Sequence, residues 1–466
     1  MQYGQHFAKK LAALTLLLAC GWVGGFAPRR NGRRQLPTSK TTPSSSSKAN
    51  DGLDSSLTSA TVLEYPSNDV PQNVVTHQAN FTLIKPANVT TKNKRPWQRK
   101  DADASASSLT KQQWNFVYNY DTLSIPANKN NNTKTTAATS TTTKTTGILL
   151  IHPIGVGIAK WYYRRLLNAF GETQEQLPNN HLHFVVPDLL ASGSAVVVDA
   201  RQHTHLPLLN ISDWTNQILS VMAREQENVD EWCLVANGGC SPIALQVAAA
   251  SVNNQTMTSP PIVTQVILSS TPRLPFFLQA CNPIKVQRAY RRLTGLLGNL
   301  FWWYATRNQG AFVQTFSEKN LVADPAHLGD KWRPNCYRAA TSHHGASRYS
   351  TFAFLAGTLQ HGCVASLQSL IDYSSSKNIR VDVIRGADVR QRRAKSWFWQ
   401  RPTTRKTNPS SNNNKDDSNK PRPTFRDYVQ QNGLGGREIV IGGRICLAHE
   451  DAYGYRDAML TFLDSN

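Results

Sequence analysis

A thiol and a hydroxyl, Cys240 and Ser241, stand side by side within residues 231–249, which read EWCLVANGGCSPIALQVAA. The apolar run at residues 232–236 has the composition of a buried strand, and the small residues 237–239 interrupt it. A helix-compatible segment follows at once, without a connecting loop. A strand that turns directly into a helix lifts one side chain off the sheet and aims backbone N–H groups at whatever binds above it. We therefore expect the functional site of the chain at this turn.

The same stretch resembles the nucleophile elbow of the α/β-hydrolase superfamily, which usually reads L-V-G-H-S-x-G-G before a helix. Leu234 and Val235 match this pattern, and Gly238 falls where the family carries its nucleophilic serine. Cys240 and Ser241 fall on the two glycines that follow. Because glycine has no side chain, the resemblance implies the fold and a pocket, while conventional serine-esterase chemistry is not expected.

A second segment with the family's pattern is HPIG at residues 152–155, directly after the apolar run at residues 147–151. In the family an L-H-G-x-G segment at this place contributes a backbone N–H group to the oxyanion hole. Pro153 replaces the glycine and has no N–H group to donate. The resemblance therefore implies that the backbone N–H groups of Ile154 and Gly239 would stabilise an oxyanion.

Two residues are candidates to replace the missing nucleophile. Cys240 lies near a helix N-terminus, which lowers the pKa of a thiol and favours the reactive thiolate. It also lies two residues beyond the tip of the turn, where a small buried cysteine with a structural role is the alternative. Ser241 is either a nucleophile or a residue that caps the first turn of the helix.

The base and the acid of a triad would follow the nucleophile in the order that the family uses. His449 lies after the last predicted strand and just before the last predicted helix, and it is the candidate base. Asp388 follows the predicted strand at residues 379–386 and is the candidate acid. The alternatives are that His449 faces away from the pocket and that Asp388 forms a structural ion pair with Arg385 or Arg390.

Hydrophobic patterning predicts the elements that would position these residues. Buried or half-buried strands are expected at residues 113–125, 147–151, 183–187, 232–236, 262–269, 379–386 and 437–442, and helices at residues 160–170, 214–224, 241–250 and 455–463. Strands that alternate with helices predict an α/β fold with a doubly wound, mostly parallel sheet. Combined with the elbow, this pattern implies an α/β-hydrolase type of fold.

The alternation stops at residues 273–361, which are helical and aromatic and occupy the place of a cap insertion in this family. Three stretches look most like the plastid and cyanobacterial branch of these hydrolases. They are HPIG at residues 152–155, FSEKNL at residues 316–321, and SRY at residues 347–349 with FAFLAG at residues 352–357.

The N-terminal part has the composition of a targeting sequence. Residues 1–25 place Lys9 and Lys10 before a short apolar run, as in a signal peptide, and residues 26–50 are basic, rich in hydroxyl groups and free of acids. Together they predict a bipartite plastid presequence of the diatom type. The alternatives are secretion with a basic propeptide, or an N-terminal hydrophobic anchor. No stable transmembrane span is expected after processing, because the apolar run is too short.

The expected domain boundaries follow from composition. Residues 51–110 are predicted to be a disordered linker, with short extended pieces around residues 62–63 and 81–84. Residues 111–466 are predicted to form the α/β-hydrolase domain, with a low-complexity loop at about residues 401–424.

The formal net charge of +21 raises the question of nucleic-acid binding. Much of the charge lies in residues 1–50, with eight basic residues and no acid, and in residues 388–426, with eleven basic residues and three acids. The rest of the chain holds 32 basic and 27 acidic residues, without a basic helix or an aromatic-interleaved patch. A small-molecule ligand is therefore expected, and nucleic acid is not.

No cofactor or metal is predicted. The seven cysteines form no CxxC pair, and the chain has no G-x-G-x-x-G motif and no phosphate loop. Histidine pairs at residues 181 and 183, 203 and 205, and 343 and 344 lack carboxylate or cysteine partners at metal-binding spacings.

Two functional hypotheses follow from these observations. In one, the chain is a plastid α/β-hydrolase-fold protein that binds a small apolar or acyl-type ligand without an acyl-enzyme, either as a cofactor-free acid–base catalyst or as a non-catalytic binder of a ligand or partner. In the other, Cys240 or Ser241 acts as a nonstandard nucleophile with His449 and Asp388. The sequence does not determine the oligomeric state.

Overall fold

The structure of the protein is a computed structural model. It describes residues 73–86, 111–127, 144–172, 181–199, 206–253, 261–279, 281–360, 362–374, 379–388 and 423–464. The predicted presequence and most of the predicted low-complexity loop lie outside these residues.

A single mixed sheet organises the described chain. Its strands are β1 (Val75–Pro86), β2 (Lys111–Ile125), β3 (Thr145–Ile151), β4 (His181–Pro187), β5 (Val196–Val197), β6 (Glu231–Asn237), β7 (Val263–Ser269), β8 (Arg380–Gly386) and β9 (Gly435–Ile441). The spatial order is β1-β2-β4-β3-β6-β7-β8-β9, and the short β5 pairs with β2. The strands from β4 to β9 in this order run parallel, while β2 is antiparallel to both of its long neighbours. We call the edge where the parallel strands begin the amino edge and the edge where they end the carboxyl edge.

Twelve α-helices are described. They are α1 (Arg164–Glu172), α2 (Ile211–Arg224), α3 (Ser241–Asn253), α4 (Leu274–Leu278), α5 (Pro283–Leu293), α6 (Leu296–Asn320), α7 (Trp332–Gly345), α8 (Arg348–Ala356), α9 (Cys363–Ser374), α10 (Phe425–Gln431), α11 (Leu447–Glu450) and α12 (Ala452–Leu463). Helices α4 to α8 form the inserted cap, and non-helical residues interrupt α6 at Arg307–Gly310 and α7 at Ser342–His344.

Apolar side chains cover both faces of the sheet. On one face they pack with helices α2 and α3, around side chains such as Trp214 and Trp232. On the other face they pack with α1 and α12, around side chains such as Phe170 and Tyr455. Strands buried on both faces read as continuous apolar runs, which is why their sequence pattern was clear. The predicted doubly wound, mostly parallel α/β architecture with a helical insertion is confirmed.

The prediction of a disordered linker through residue 110 is wrong for β1. All twelve residues of Val75–Pro86 pair antiparallel with β2, and the short extended piece expected at residues 81–84 lies inside this strand. Ala79 and Leu83 are buried and Phe81 packs against the core from the same face, while Asn80 and Thr82 are exposed. The edge strand buries only this face, and the polar stretch around it conceals the alternation in the sequence.

Among the helices of the described chain, none combines the length and apolar character that crossing a membrane would require.

Candidate functional site

The predicted strand-to-helix turn, which we call the elbow, lies at the carboxyl edge. Strand β6 ends at Asn237, a single 3-10 turn covers Gly238–Cys240, and α3 begins at Ser241. Gly238 has a φ of 55°, in the left-handed region that costs other residues roughly 1–2 kcal/mol. The turn therefore has the strained strand-to-helix form that presents a residue above the sheet.

The space above Gly238 is open. A Cβ atom built on Gly238 would have no heavy atom within 4 Å. On its neighbour Gly239 a Cβ atom would lie only 2.5 Å from Cε2 of Phe354, so this ring of helix α8 lies directly against the turn. The summit of the elbow thus has room for another group, with an aromatic side chain of the cap beside it.

Asn237 ties the elbow to its surroundings. Its side-chain amide lies 3.0 Å from the hydroxyl oxygen of Tyr162, 3.1 Å from Oγ of Ser269 and 3.1 Å from the carbonyl oxygen of Ile445. These contacts join β6 to the 3-10 helix at Lys160–Tyr163, to β7 and to the loop before α11. The side chain is buried and fully engaged, which makes it a structural anchor of the turn.

Cys240 is placed as a buried hydrogen-bond acceptor. Its Sγ accepts a hydrogen bond from the backbone N–H of Ile154 at 3.3 Å, and the thiol is fully buried. Burial raises the pKa of the Cys240 thiol to about 12, so the thiolate is not populated at neutral pH. Instead of the lowered pKa expected at a helix N-terminus, desolvation dominates. The environment matches the structural alternative for Cys240.

The same contact removes the expected oxyanion donor. The N–H group of Ile154 points to the sulfur of Cys240, so it is not free to bind an oxyanion above Gly238. Gly239, the other expected donor, has the ring of Phe354 against it. A hydrogen-bond donor already engaged in the ground state contributes little to a transition state.

Ser241 is hydrogen-bonded within the turn at the start of α3. Its side chain is buried, and its hydroxyl donates a hydrogen bond to the carbonyl oxygen of Gly238 at 2.7 Å. The hydroxyl therefore closes the turn at the start of α3 and is directed back along the chain. This is the role of a first-turn residue, which was the alternative expected for Ser241.

His449 lies in the short helix α11, enclosed by aromatic rings. Its ring centroid is 4.7 Å from that of Trp332, 6.2 Å from that of Trp161 and 6.3 Å from that of Tyr162. Nε2 donates to the carbonyl oxygen of Leu328 at 3.1 Å, because a carbonyl only accepts. Nδ1 therefore holds the lone pair, and among the described residues it has no hydrogen-bond partner.

This enclosure makes His449 a weak base. Burial, with a smaller contribution from the charge of Arg165, lowers the pKa of His449 to about 3. The imidazole is thus neutral at physiological pH and is not oriented by a carboxylate. Since a catalytic base works best with a pKa near the working pH, this site is poorly suited to general-base catalysis.

Asp388 forms an ion pair. One of its carboxylate oxygens lies 2.8 Å from Nη2 and 3.3 Å from Nε of Arg444, and its N–H donates to the carbonyl of Gly443. Asp388 therefore does form an ion pair, but with Arg444, which was not among the predicted partners. Arg385 pairs instead with Glu438 at 2.6 Å, and Arg390 lies outside the described residues. The side-chain hydrogen bond described for His449 goes to Leu328, so the structure does not join the candidate acid to the candidate base.

Sequence reasoning located the elbow residues and His449 but missed the aromatic enclosure of this histidine. Trp161 belongs to a segment whose aromatic character was visible, whereas Trp332 comes from the cap. No local pattern indicates that these two side chains meet, at 5.2 Å between ring centroids. Within the described ranges, no group of three or more histidine, cysteine or acidic side chains is arranged to hold a metal ion.

No protein-family model matches the sequence, and no curated protein matches it either. Among solved structures, a loop variant of the haloalkane dehalogenase DbeA from Bradyrhizobium elkanii is similar at 11% identity with a TM-score of 0.42, covering 75% of this chain and 93% of that one. The epoxide hydrolase CorEH gives 11% identity, a TM-score of 0.41 and coverages of 75% and 95%. A thermophilic esterase from Thermogutta terrifontis gives 8% identity, a TM-score of 0.40 and coverages of 75% and 94%.

At such identities a likeness concerns the fold alone. The sheet order of this chain, its strand-to-helix elbow and its inserted helices agree with the α/β-hydrolase type of fold. That fold supports many chemistries, so the function has to follow from the residues of the site.

Proposed function

We propose that this protein is an α/β-hydrolase-fold binder of a small apolar or acyl-type ligand, and that its elbow performs no acyl-enzyme chemistry. The observation that carries the proposal is Gly238, which stands at the summit of the turn with a left-handed φ and open space where a side chain would project. A glycine at this place leaves no atom to attack a substrate, while the space it leaves can hold part of a ligand.

The surroundings of the elbow support the loss of covalent chemistry. The thiol of Cys240 is buried with a pKa of about 12, and the hydroxyl of Ser241 is bound to the carbonyl of Gly238. His449 has a pKa of about 3, and Asp388 is paired with Arg444. Each group of a would-be triad thus has a different partner from the one that catalysis requires.

The cap supports the apolar class of ligand. Phe354 of α8 lies against the elbow, and Phe352 and Trp302 form an edge-to-face pair within the cap at 6.0 Å between ring centroids. Aromatic side chains near an open space favour apolar ligands, since they offer contact area and few hydrogen bonds.

A competing function is an active hydrolase that uses Cys240 or Ser241 with His449. A fluorophosphonate and, separately, iodoacetamide should distinguish the two under native conditions, with adducts located by mass spectrometry. Our proposal predicts that neither elbow residue is modified in the folded chain, whereas unfolding in denaturant exposes Cys240 to iodoacetamide. Rapid native labelling of Cys240 or Ser241 would overturn the proposal.

Ligand binding has its own test, which uses a matched pair of glycine variants. Gly238→Ser places a side chain in the open space, and Gly433→Ser serves as the control. Gly433 also has a positive φ, 73°, with no heavy atom within 4 Å of an added Cβ, but it lies in an exposed turn before β9. Both substitutions therefore introduce similar backbone strain.

The probes are saturated fatty acids from butanoate to dodecanoate, measured by isothermal titration calorimetry. The wild-type protein and Gly433→Ser should bind at least one fatty acid of this series, and Gly238→Ser should bind the same fatty acid about 10-fold more weakly. No binding across the series, or equal loss in both variants, would contradict a ligand site at the elbow.

We further propose a plastid location and membership of the plastid and cyanobacterial branch of this superfamily. The proposal is supported by the presequence pattern of residues 1–50 and by the HPIG, FSEKNL and SRY stretches. Residues 1–50 fused to a fluorescent protein and expressed in a diatom should direct it to the plastid. Fluorescence in the secretory pathway or the medium would favour secretion instead.

A further inference from the structure

A serine, a histidine and a glutamate form a hydrogen-bonded chain at the amino edge of the sheet, far along the strands from the elbow. Oγ of Ser124 lies 2.8 Å from Nδ1 of His183, and Nε2 of His183 lies 3.1 Å from Oε2 of Glu225. Ser124 and His183 are directly opposite each other on the antiparallel strands β2 and β4. Opposed residues of paired strands project to the same face, which brings the two side chains together.

Glu225 determines which ring nitrogen of His183 carries the proton. It accepts hydrogen bonds from the hydroxyl of Tyr120 at 2.8 Å and from the amide of Asn228 at 3.2 Å. The hydrogen bond from His183 and, after it, those from Tyr120 and Asn228 lower the pKa of Glu225 to about 2 against the opposing effect of burial, so the group is an ionised carboxylate. A carboxylate only accepts, so Nε2 of His183 carries the proton.

This tautomer leaves Nδ1 of His183 as a hydrogen-bond acceptor for Ser124. A neutral imidazole that is protonated at Nε2 has a bare lone pair on Nδ1, which accepts the hydroxyl proton of Ser124. Ser124 is exposed, whereas His183 and Glu225 are buried. The hydroxyl of Ser124 is therefore accessible to solvent, while His183 and Glu225 are held in place by their buried surroundings.

The three residues line an open groove of about 340 Å³. His181 also lines it, two residues from His183 on the same strand and therefore on the same face of the sheet. Its ring can supply a hydrogen-bond donor to a ligand in the groove. A volume of this size lies at the small end of ligand pockets and suits a short acyl ester.

We propose that the groove is a second, catalytic site in which Ser124 is a base-activated nucleophile toward small acyl esters. His183 is the general base, Glu225 is a positioning residue that fixes the tautomer of His183, and His181 donates to the carbonyl oxygen of the ester. The site is separate from the elbow and does not depend on the function proposed there.

The reaction balances without a cofactor. Oγ of Ser124 attacks the ester carbonyl carbon as its proton passes to Nδ1 of His183. The bond from this carbon to the alcohol oxygen then breaks, and the proton on Nδ1 passes to the departing oxygen, which leaves an alcohol and acyl-Ser124. Water attacks the acyl group, His183 takes one of its protons, and Ser124 regains a proton as the acid is released.

The test uses the full chain with two probes, a fluorophosphonate that forms a bond to a nucleophilic serine and p-nitrophenyl acetate as the ester. We expect mass spectrometry to locate the adduct on Ser124, and Ser124→Ala to abolish both the adduct and the release of nitrophenolate. His183→Gln should slow labelling by about 100-fold, the usual contribution of a general base. Ser212→Ala is the control, because Ser212 is also exposed but lies outside the groove.

Glu225→Gln tests the positioning role. An amide at this place can donate to Nε2, which shifts the proton of His183 to Nδ1 and turns it toward Ser124. The labelling rate should then fall while the chain remains folded, as judged by its far-UV circular dichroism. Absence of an adduct on Ser124, or a rate that is the same in folded His183→Gln, would overturn the proposal. An adduct at Ser241 would bear on the elbow alone and leave Ser124 without support.

An independent observation concerns the outer surface of the cap. Helix α6 exposes Leu296, Leu297, Leu300 and Trp303, with Leu296 75% and Trp303 59% accessible. These positions follow a helical spacing along one side, while the opposite side is buried through residues such as Phe301. A monomeric protein rarely leaves such an apolar helix face uncovered.

Basic side chains accompany this apolar face. Helix α5, which directly precedes α6, exposes Lys285, Arg288 and Arg291. The guanidinium of Arg307 stacks over the ring of Trp303 at 5.2 Å. The sequence has no aspartate or glutamate between residues 231 and 318, so the cap surface carries positive charge without local compensation.

From this combination we infer that the exposed face of α5 and α6 docks on a membrane surface that contains anionic lipids. Leucine and tryptophan on one side of a helix with lysine and arginine beside them is the composition of an interfacial membrane helix. The apolar groups would enter the headgroup region, and the basic groups would pair with lipid phosphates.

Co-sedimentation of the full chain with phosphatidylglycerol-containing vesicles tests this inference. Binding should exceed that to pure phosphatidylcholine vesicles and should fall with added salt. The double variant Arg288→Gln/Arg291→Gln should bind about 30-fold more weakly, since each basic residue near an anionic surface contributes about 1 kcal/mol.

Leu300→Gln/Trp303→Gln should also lose binding, whereas the control Ile262→Gln should not, because Ile262 is equally exposed but lies outside the cap. All variants share the same residues 1–50, so differences in vesicle binding among the cap variants come from the cap. Unchanged vesicle binding in both double variants would overturn the inference. A dimer of the wild-type chain that Leu300→Gln/Trp303→Gln dissociates would contradict it too, since a second copy would then cover this face.

Discussion

At the carboxyl edge of the sheet His449 lies among the rings of Trp161 and Trp332, whereas at the amino edge His183 lies between Ser124 and Glu225. Both imidazoles are largely buried and both are within one domain. Desolvation acts on His449 without a compensating carboxylate, and its pKa falls to about 3. His183 has an ionised partner that fixes its tautomer.

The difference shows that the place of a residue in the fold does not determine the chemistry that its side chain can perform. The fold places His449 beside Tyr162, which contacts Asn237 of the elbow, yet the described contacts of His449 include no carboxylate that would make it a base. A serine, a histidine and a glutamate are hydrogen-bonded to one another instead at the amino edge. Function must therefore be argued from contacts at each edge.

The largest expected effect contrasts a buried ion pair at the carboxyl edge with a half-exposed pair at the amino edge. Lys160 and Asp121 pair with both side chains 4% accessible, whereas Lys144 pairs with Glu231 at 2.7 Å with half of its side chain exposed. Lys160→Met should lower the free energy of unfolding by about 3–5 kcal/mol, because it leaves a buried carboxylate unpaired. Lys144→Met should cost less than about 1 kcal/mol. Urea denaturation at pH 7 measures the free energy of unfolding of both variants. Equal losses would contradict the conclusion that the Lys160–Asp121 pair is shielded from water.

The pH dependence of stability separates the two histidine environments. The unfolded chain binds a proton on His449 below pH 6.5, whereas the folded chain does not until about pH 3. Stability due to this group therefore falls as the pH drops through that window, by about 1.4 kcal/mol per pH unit. His449→Phe should remove this contribution and make the curve less steep between pH 6.5 and 4.5, while the buried His152, whose pKa is also lowered by burial, should still contribute to the slope.

Glu225 provides the matched comparison at the amino edge. Its pKa is lowered from 4.5 to about 2, so its contribution is present above pH 4.5 and is lost as the pH falls further. Glu225→Gln should therefore leave the slope between pH 6.5 and 4.5 unchanged. Urea unfolding at intervals of half a pH unit distinguishes the variants, and a slope in His449→Phe as steep as that of the wild-type chain would show that His449 is not desolvated.

A smaller effect is expected on restoring a serine at the elbow. Gly238→Ser should reduce the free energy of unfolding by about 1–2 kcal/mol, the cost of a left-handed conformation in a residue with a side chain. The new hydroxyl should stay unmodified by a fluorophosphonate, because His449 is a weak base held to Leu328. Rapid labelling at residue 238 would erase the contrast between the two edges.

The smallest effect should come from the candidate acid. Asp388→Asn breaks the ion pair with Arg444, which is partly exposed, and should cost about 1 kcal/mol or less. Since Asp388 and His449 are not joined by the described hydrogen bonds, the titration of His449 followed by NMR should not move. A shift of the His449 pKa by more than one unit in Asp388→Asn would place the two groups in one catalytic unit after all.

Much of the fold was predictable because its strands are buried on both faces and leave continuous apolar runs. The strand and helix around the elbow lie where the small residues 237–239 predicted the turn, and the strand expected at residues 379–386 corresponds to β8. Strand β1 was missed because only one of its faces is buried and it lies within a polar stretch of the chain, although the strand itself contains several apolar residues.

The candidate site was predictable in position and not in chemistry. The positions of Cys240 and His449 follow from their place after particular strands, which is a property of the local sequence. The surroundings that set their pKa values come from Ile154, Trp332 and Leu328, which are distant along the chain. A pKa depends on burial and on neighbours in space, so it has no sequence signature.

The sequence by itself determined the alternation of strands and helices, the glycine at the summit of the elbow and the uncompensated positive charge of the cap, because each is a property of neighbouring residues. Tertiary structure alone decided that Asp388 meets Arg444 and that Ser124 lies opposite His183. The second contact depends on the register of β2 against β4, and a shift of one residue would turn the two side chains to opposite faces. Pairing between residues far apart in sequence follows from how the whole sheet packs, which no local pattern contains.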